Sequence, residues 1–179
     1  MMKKFQKLLP LLTFCFSILV FASMFFNVLQ TDDNEAIMTG TKAVFGGAVA
    51  AFGPFASAKI QFSFPNLIGF FLPAILALGL VIYSLLDKKP NSIKMALKLL
   101  IVLSFGLSIF LLAYLPQNTK GLITIFGNDN IFNYEGAKLA VGAILGICFA
   151  SLGFLSSAFY IVVNEVKPKK KTTKKRKSS

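Results

Sequence analysis

The chain has no histidine and no tryptophan, and only two of its 179 residues are cysteines. Histidine is the commonest general base and metal ligand, so its absence removes the usual means of acid–base catalysis and of zinc binding. Cys15 and Cys148 both fall inside apolar stretches, so no disulfide framework is expected. These absences predict a protein that is not an enzyme and that holds no catalytic, cofactor-binding or metal-binding residues.

Charge is also missing from four long windows, over residues 8–29, 66–86, 99–115 and 139–163. About 20 apolar residues cross the hydrocarbon core of a bilayer. Backbone polar groups in lipid must be satisfied within the segment itself. The windows therefore predict an all-α, polytopic bundle of four transmembrane helices, at 8–29, 66–86, 96–115 and 139–163. Because none of the four charge-free windows holds Asp, Glu, Lys, Arg or His, proton-coupled transport is not expected.

Acidic residues are scarce, and the net charge of +12 is distributed unevenly. Fifteen basic residues lie before the first helix, between the second and third, and in the C-terminal tail, whereas the other two loops hold four. The positive-inside rule then predicts a multi-pass protein with both termini in the cytoplasm. Lysine outnumbers arginine 18 to 1, which favours an AT-rich bacterial genome and so a bacterial cell membrane.

The first helix has an alternative interpretation, a cleaved signal peptide ending near Ala22. A retained helix is favoured because the apolar run continues through Met24, Phe25 and Phe26. Residues 1–163 are predicted to form the membrane domain, and residues 164–179 a disordered basic cytoplasmic tail.

Two outer loops follow from this topology, a long one over residues 31–65 and a second one over 117–138. The apolar, glycine-rich stretch 43–58 is too short to cross the membrane and is expected to form an ordered loop at the membrane surface or dipping into the bundle. The acids Asp32, Asp33 and Glu35 do not form a calcium loop, because Ile37 stands where that motif needs glycine.

The fourth helix carries a face of small residues that predicts close helix packing. At 100° per residue its members fall within an arc of about 80°. The face predicts either oligomerisation or packing within the same bundle. Its residues are Gly142, Gly146, Ala150, Gly153 and Ser157.

Pro73 lies inside the second predicted helix. Proline lacks the N–H that would bond to the carbonyl of Gly69, so a kink is predicted there.

The C-terminal tail is expected to contact anionic lipid headgroups, each basic residue contributing about 1 kcal/mol. It has no aromatic residue that would stack on a base, so nucleic acid is not an expected partner. The expected lipid contacts are Lys167, Lys169, Lys170, Lys171, Lys174, Lys175, Arg176 and Lys177.

Three segments resemble those of small four-span membrane proteins of Gram-positive-type and wall-less bacteria. They are residues 40–46 (GTKAVFG), 62–68 (FSFPNLI) and 138–144 (KLAVGAI). The resemblance implies a bundle with both ends inside and brings no activity with it. Claudin-like and MARVEL-like proteins share the layout only, since the tryptophan and paired cysteines of the claudin signature are absent.

Two functions are consistent with these features. The first is a structural or accessory protein that packs with partners through the fourth helix and the first outer loop, as a homo- or hetero-oligomer among membrane lipids. The alternative is a small channel or carrier for a neutral or apolar solute, which would use the kink at Pro73 and the glycine-rich loop.

Overall fold

The computed structural model describes residues 2–53, 55–86 and 92–165, and this part of the chain contains six helices. Four of them are long and pack side by side, and we call them the helical layer. The other two, α2 and α5, are short and lie in the connections. The helices are α1 (Met2–Ser23), α2 (Gly40–Phe45), α3 (Phe64–Leu86), α4 (Ser92–Ala113), α5 (Leu115–Asn118) and α6 (Val141–Glu165).

The connections between the long helices form two antiparallel sheets. The small sheet has the strand order β2-β1-β7, and the large sheet has the order β3-β4-β5-β6. The strands are β1 (Asn27–Gln30), β2 (Ala36–Thr39), β3 (Gly47–Phe52), β4 (Ala56–Ile60), β5 (Lys120–Ile125), β6 (Asn128–Asn133) and β7 (Lys138–Leu139).

The prediction of an all-α bundle of four transmembrane helices is therefore wrong. Strands make up 22% of the structure. Among the described residues, three helices are long and apolar enough to cross a membrane, over Phe64–Tyr83, Met95–Ala113 and Val141–Val162. The apolar part of α1 is the shorter stretch Leu9–Ser23. A hydropathy window identifies apolar helices, but it does not detect strands whose buried side chains lie outside the lipid.

The end of α1 illustrates the physical reason for this correction. The apolar run predicted a helix to residue 29, but α1 ends at Ser23 and a turn follows. Val28 and Leu29 are then fully buried in β1, which pairs with both β2 and β7. Their apolar character serves the small sheet rather than a membrane span. A surface ion pair, Lys138 Nζ to Asp32 Oδ1 at 3.1 Å, also joins this sheet to the turn after β1.

The helical layer buries large apolar side chains along its whole length. Phe70 on α3 and Phe105 on α4 are fully buried, as are Ile101 and Leu112 on α4 and Val20 on α1. The hydroxyl groups of Thr13 on α1 and Ser156 on α6 lie 3.2 Å apart, which fixes these two helices against each other. In lipid such van der Waals packing and interhelical hydrogen bonding drive helix association.

The outward faces of the long helices are strongly apolar. Leu103 is 67% exposed, Leu155 63% and Phe110 56%. Exposed apolar surface of this extent along three helices of membrane-crossing length is what a lipid bilayer would cover.

Both sheets lie at one end of the helical layer. α1 and α4 end there and α3 and α6 begin there, because β1 follows α1, β4 precedes α3, β5 follows α4 and α5, and β7 precedes α6. The start of α1 and the end of α6 consequently share the opposite end, where Lys98 Nζ lies 4.5 Å from the ring centroid of Tyr160. Residues 87–91, which connect α3 to α4, lie outside the described residues.

Candidate functional site

The five small residues of α6 are all buried inside this chain. α6 packs mainly against α1 and α4. A Cβ on Gly142 would lie 2.8 Å from the Asn27 carbonyl oxygen and 2.9 Å from that of Ser23. A Cβ on Gly153 would overlap the ring of Phe105 on α4. Glycine is required at these two positions because another backbone or an aromatic ring occupies the space of a side chain.

The remaining members of this face meet the same two helices. A Cβ on Gly146 would lie 2.8 Å from Ser23 Oγ and 3.0 Å from Leu112 Cδ1. Ala150 is fully buried and Ser157 is 4% exposed. The chain itself fills this face of α6, so the surface that remains open to a partner lies elsewhere.

The carbonyl released by Pro73 has a specific partner on the next helix. Pro73 is fully buried within α3, and Ser108 Oγ on α4 donates a hydrogen bond of 2.6 Å to Gly69 O. A Cβ on Gly69 would lie 3.3 Å from Leu111 Cβ, so the two helices are in close contact here. The Gly69 carbonyl, which Pro73 leaves without a donor in α3, therefore accepts its hydrogen bond from Ser108 on α4.

We expect Ser108→Ala to destabilise the protein by about 1 kcal/mol, because it leaves the Gly69 carbonyl buried without a donor. In a Pro73→Ala background the same change should cost less, since the backbone N–H of the introduced alanine restores the helical bond to Gly69 O. Equilibrium unfolding in mixed micelles measures this double-mutant cycle. Ser151→Ala is the control, because Ser151 bonds only to Ile147 O of its own helix. Equal losses in both backgrounds would contradict the assignment.

Two chain segments, which we call the outer segments, contain the strands: residues 24–63 between α1 and α3, and residues 114–140 between α4 and α6. A polar hub of Asn66, Thr119 and Ser63 connects them. Asn66 is fully buried at the start of α3, and its Nδ2 donates to Ala43 O on α2 and to Thr119 Oγ1 beside β5, both at 3.0 Å. Ser63 Oγ donates to Asn118 O at 2.8 Å. Among the described residues Asn66 Oδ1 has no partner. The hub joins the first outer segment to the second one at the base of the large sheet.

The large sheet is built jointly by the two outer segments. β3 and β4 come from the first, β5 and β6 from the second, and β4 pairs with β5 from Ala56↔Ile125 to Ile60↔Gly121. Ile60 and Gly121 are buried at its base next to the helical layer, whereas all six residues of β6 are exposed. The ring of Phe132 on β6 covers Gly121, where a side chain would overlap it.

The far end of the large sheet presents two aromatic rings, which we call the aromatic tip. Phe55 and Phe126 occupy the two hairpin turns, with ring centroids 5.7 Å apart. Phe126 N donates to Phe55 O at 2.8 Å. Phe126 is 76% exposed and has φ 48°, a left-handed conformation that costs a phenylalanine about 1–2 kcal/mol. An exposed ring held in a costly conformation is a feature of functional surfaces.

The large sheet was not predicted from the sequence, although part of its sequence pattern is present. The glycine-rich stretch 43–58, expected as a surface loop, contains the last residues of α2 and the β3–β4 hairpin. Residues 122–125 and 131–134 are rich in Ile, Leu, Thr, Phe and Tyr and flank Gly127, which is the pattern of a hairpin. The turn occupies Phe126 and Gly127, which both have positive φ.

Charged groups contribute little to this surface. Asp129 Oδ1 accepts a hydrogen bond of 2.6 Å from Thr124 Oγ1, and Asn133 Nδ2 donates to Glu135 Oε1 at 3.2 Å. Burial raises the pKa of Tyr134. Within the described ranges no group of three His, Cys, Asp or Glu residues is placed to hold a metal ion. The basic residues 167–177, the expected lipid contacts, lie outside those ranges.

Comparison with protein-family models, with curated proteins and with solved structures finds no match to this chain. The functional assignment therefore rests on the residues and contacts described above.

Proposed function

We propose that this chain is a non-enzymatic, multi-pass protein of a bacterial cell membrane that acts through protein contacts made by its large sheet. The observation that supports this proposal most directly is that the two outer segments form one sheet with an exposed aromatic tip. The hub at Asn66 supports this proposal, because it joins the two segments at the base of the sheet. A rigid platform of this kind suits recognition of a partner better than two independent loops.

We further propose that both termini lie in the cytoplasm and that the two sheets lie outside, with α1, whose apolar part is shorter, crossing the membrane beside the three longer apolar helices. The positions of the helix ends support this orientation, because the start of α1 and the end of α6 share the end opposite the sheets. Lys3, Lys4 and Lys7 belong to the start of α1, and the basic tail follows the end of α6 in the sequence. The positive-inside rule expects such basic residues on the cytoplasmic side. The tail would bind anionic headgroups there, and lipid would cover the outward faces of the helices.

The large sheet replaces the fourth predicted helix as the proposed contact surface, because α1 and α4 fill the small-residue face of α6. No observation favours the alternative of a solute carrier. The Gly69 carbonyl that Pro73 releases is bonded to Ser108, and the glycine-rich segment is part of the sheet. Both features on which the carrier depended therefore have structural roles.

Photo-crosslinking in the native membrane tests this proposal. A photoreactive residue at position 126 should give discrete protein adducts, whereas the same residue at position 103, on the outward face of α4, should give lipid adducts only. Phe126→Asn should keep the sheet, because Asn-Gly is a favoured pair for a type I′ turn, and should abolish the adducts formed from a photoreactive residue at position 55. Absence of protein adducts from both tip positions would contradict the proposal.

A further inference from the structure

The two edges of the large sheet differ in how they are protected. β3 forms one edge, and its register is broken between Ala48 and Ala50 by a bulge, a device that blunts an edge against strand addition. β6 forms the other edge, and its six residues pair with β5 without interruption. β6 contains no proline and no lysine, its one charged side chain, that of Asp129, accepts a hydrogen bond from Thr124 on β5, and all its residues are exposed. It is therefore an unprotected template for another strand.

The hydrogen-bond register determines which groups of β6 face this open edge. Phe126 N donates to Phe55 O and Gln61 N donates to Lys120 O, so the even-numbered residues of β5 bond to β4. Hydrogen-bonding groups alternate along an antiparallel strand, so the odd-numbered residues of β5 bond to β6. Their partners on β6 are Asn128, Asn130 and Phe132. The N–H and C=O groups that face outward belong to Asp129, Ile131 and Asn133.

These outward groups are complementary to a second copy of themselves. In an antiparallel pair centred on Ile131, Ile131 faces Ile131 of the second copy, and Asp129 faces Asn133 on either side. All three outward residues then lie in hydrogen-bonded pairs, which gives six main-chain hydrogen bonds. If one strand is shifted along the other by two residues in either direction, at least two of these hydrogen bonds are lost. The centre is an apolar pair, and no like charges face each other across the interface.

We propose that β6 is a self-association edge, through which two copies of this chain pair antiparallel about a two-fold axis at Ile131 to form an eight-stranded sheet. This inference rests on the proposed function and names a second copy of the chain as the partner. The two-fold axis is perpendicular to the sheet, so the base of one sheet lies beside the aromatic tip of the other. The two helical layers lie at opposite ends of the joined strands.

Cysteine crosslinking in proteoliposomes tests the register, with Cys15 and Cys148 replaced by alanine. Cα atoms of the central pair are expected about 5.5 Å apart, within the reach of a disulfide. Two copies of residue 128 would be about 20 Å apart in this register. Ile131→Cys should therefore give at least ten times more disulfide-linked dimer than Asn128→Cys. Equal dimer at both positions, or none at position 131, would overturn the proposal.

A second measurement uses Asp129→Cys and Asn133→Cys on separate copies, which should crosslink to each other. Adding Ile131→Lys to both copies places two like charges opposite each other and should reduce this product at least tenfold, whereas Asn128→Lys should not. A product insensitive to Ile131→Lys would overturn the register. Because the two helical layers lie at opposite ends of the joined strands, crosslinking between separately loaded vesicles is expected, and crosslinking only within co-loaded vesicles would overturn the proposal.

The two proposals fail in different ways. If the β6 edge does not self-pair but position 126 still gives protein adducts, the self-association edge is wrong and the interaction function stands. If neither is observed, both are wrong.

Discussion

Gly142→Ala should strongly destabilise the protein. The added Cβ would lie 2.8 Å and 2.9 Å from two main-chain carbonyl oxygens, those of Asn27 and Ser23. A flexible side chain can turn away from such a contact, but main-chain atoms at the junction of α1 and β1 move only if the whole junction moves. Overpacking of this kind typically costs about 1–3 kcal/mol, and we expect the upper end of that range.

Gly79→Ala is the matched control for this substitution. Gly79 lies in α3, and nothing is within 4 Å of its added Cβ. Alanine is a better helix former than glycine by about 1 kcal/mol, so Gly79→Ala should be neutral or stabilising. Unfolding free energies in mixed micelles should therefore separate the two glycine substitutions by about 3 kcal/mol. Similar effects at both positions would contradict the close approach of α6 to the end of α1.

The second large effect is expected at the hub. Asn66→Leu keeps the number and branching of the side-chain heavy atoms but removes the donor to Ala43 O and Thr119 Oγ1. Because Asn66 is fully buried, these acceptors cannot bond to water instead, and we expect a loss of about 2 kcal/mol. The change should also uncouple the two outer segments, so that an external protease cleaves residues 46–61 faster than in the unaltered protein.

Gln30→Leu controls for the loss of an amide. Gln30 Nε2 donates to Asn34 Oδ1 at 3.3 Å in an exposed bond, so its replacement should change stability by less than about 0.5 kcal/mol. If Asn66→Leu leaves both the unfolding free energy and the cleavage rate unchanged, the hub does not hold the base of the large sheet.

The sequence predicted parts of this molecule well where one physical signal dominates. Charge-free apolar windows indicated helices of membrane-crossing length, and three are present among the described residues. Proline chemistry pointed to Gly69 as the released carbonyl, but the donor on Ser108 required the relative positions of α3 and α4. The angular clustering of small residues located a packing face on α6, whereas the identity of its neighbours depended on how the chain turns back.

The sheets were missed for a different reason. β4 and β5 are about 60 residues apart in sequence, and their pairing depends on two helices bringing the outer segments together. Ala56 and Ala58 carry no strong strand preference, and the glycines at 46, 47 and 53 indicate a loop when considered alone. The positive φ of Gly46, 74°, ends α2 and leads the chain into β3, and the positive φ of Gly53, 63°, belongs to the turn between β3 and β4.

The central claim is that the two outer segments form one sheet outside the membrane. Ala58 and Ile123 face each other across β4 and β5 in a pair without mutual hydrogen bonds, where Cα atoms are about 4.5 Å apart. With Cys15 and Cys148 replaced by alanine, Ala58→Cys with Ile123→Cys should form an intramolecular disulfide under a membrane-impermeant oxidant. Ala58→Cys with Thr124→Cys, whose side chains point to opposite faces, should not. Absence of the first disulfide, or equal formation of both, would contradict the claim.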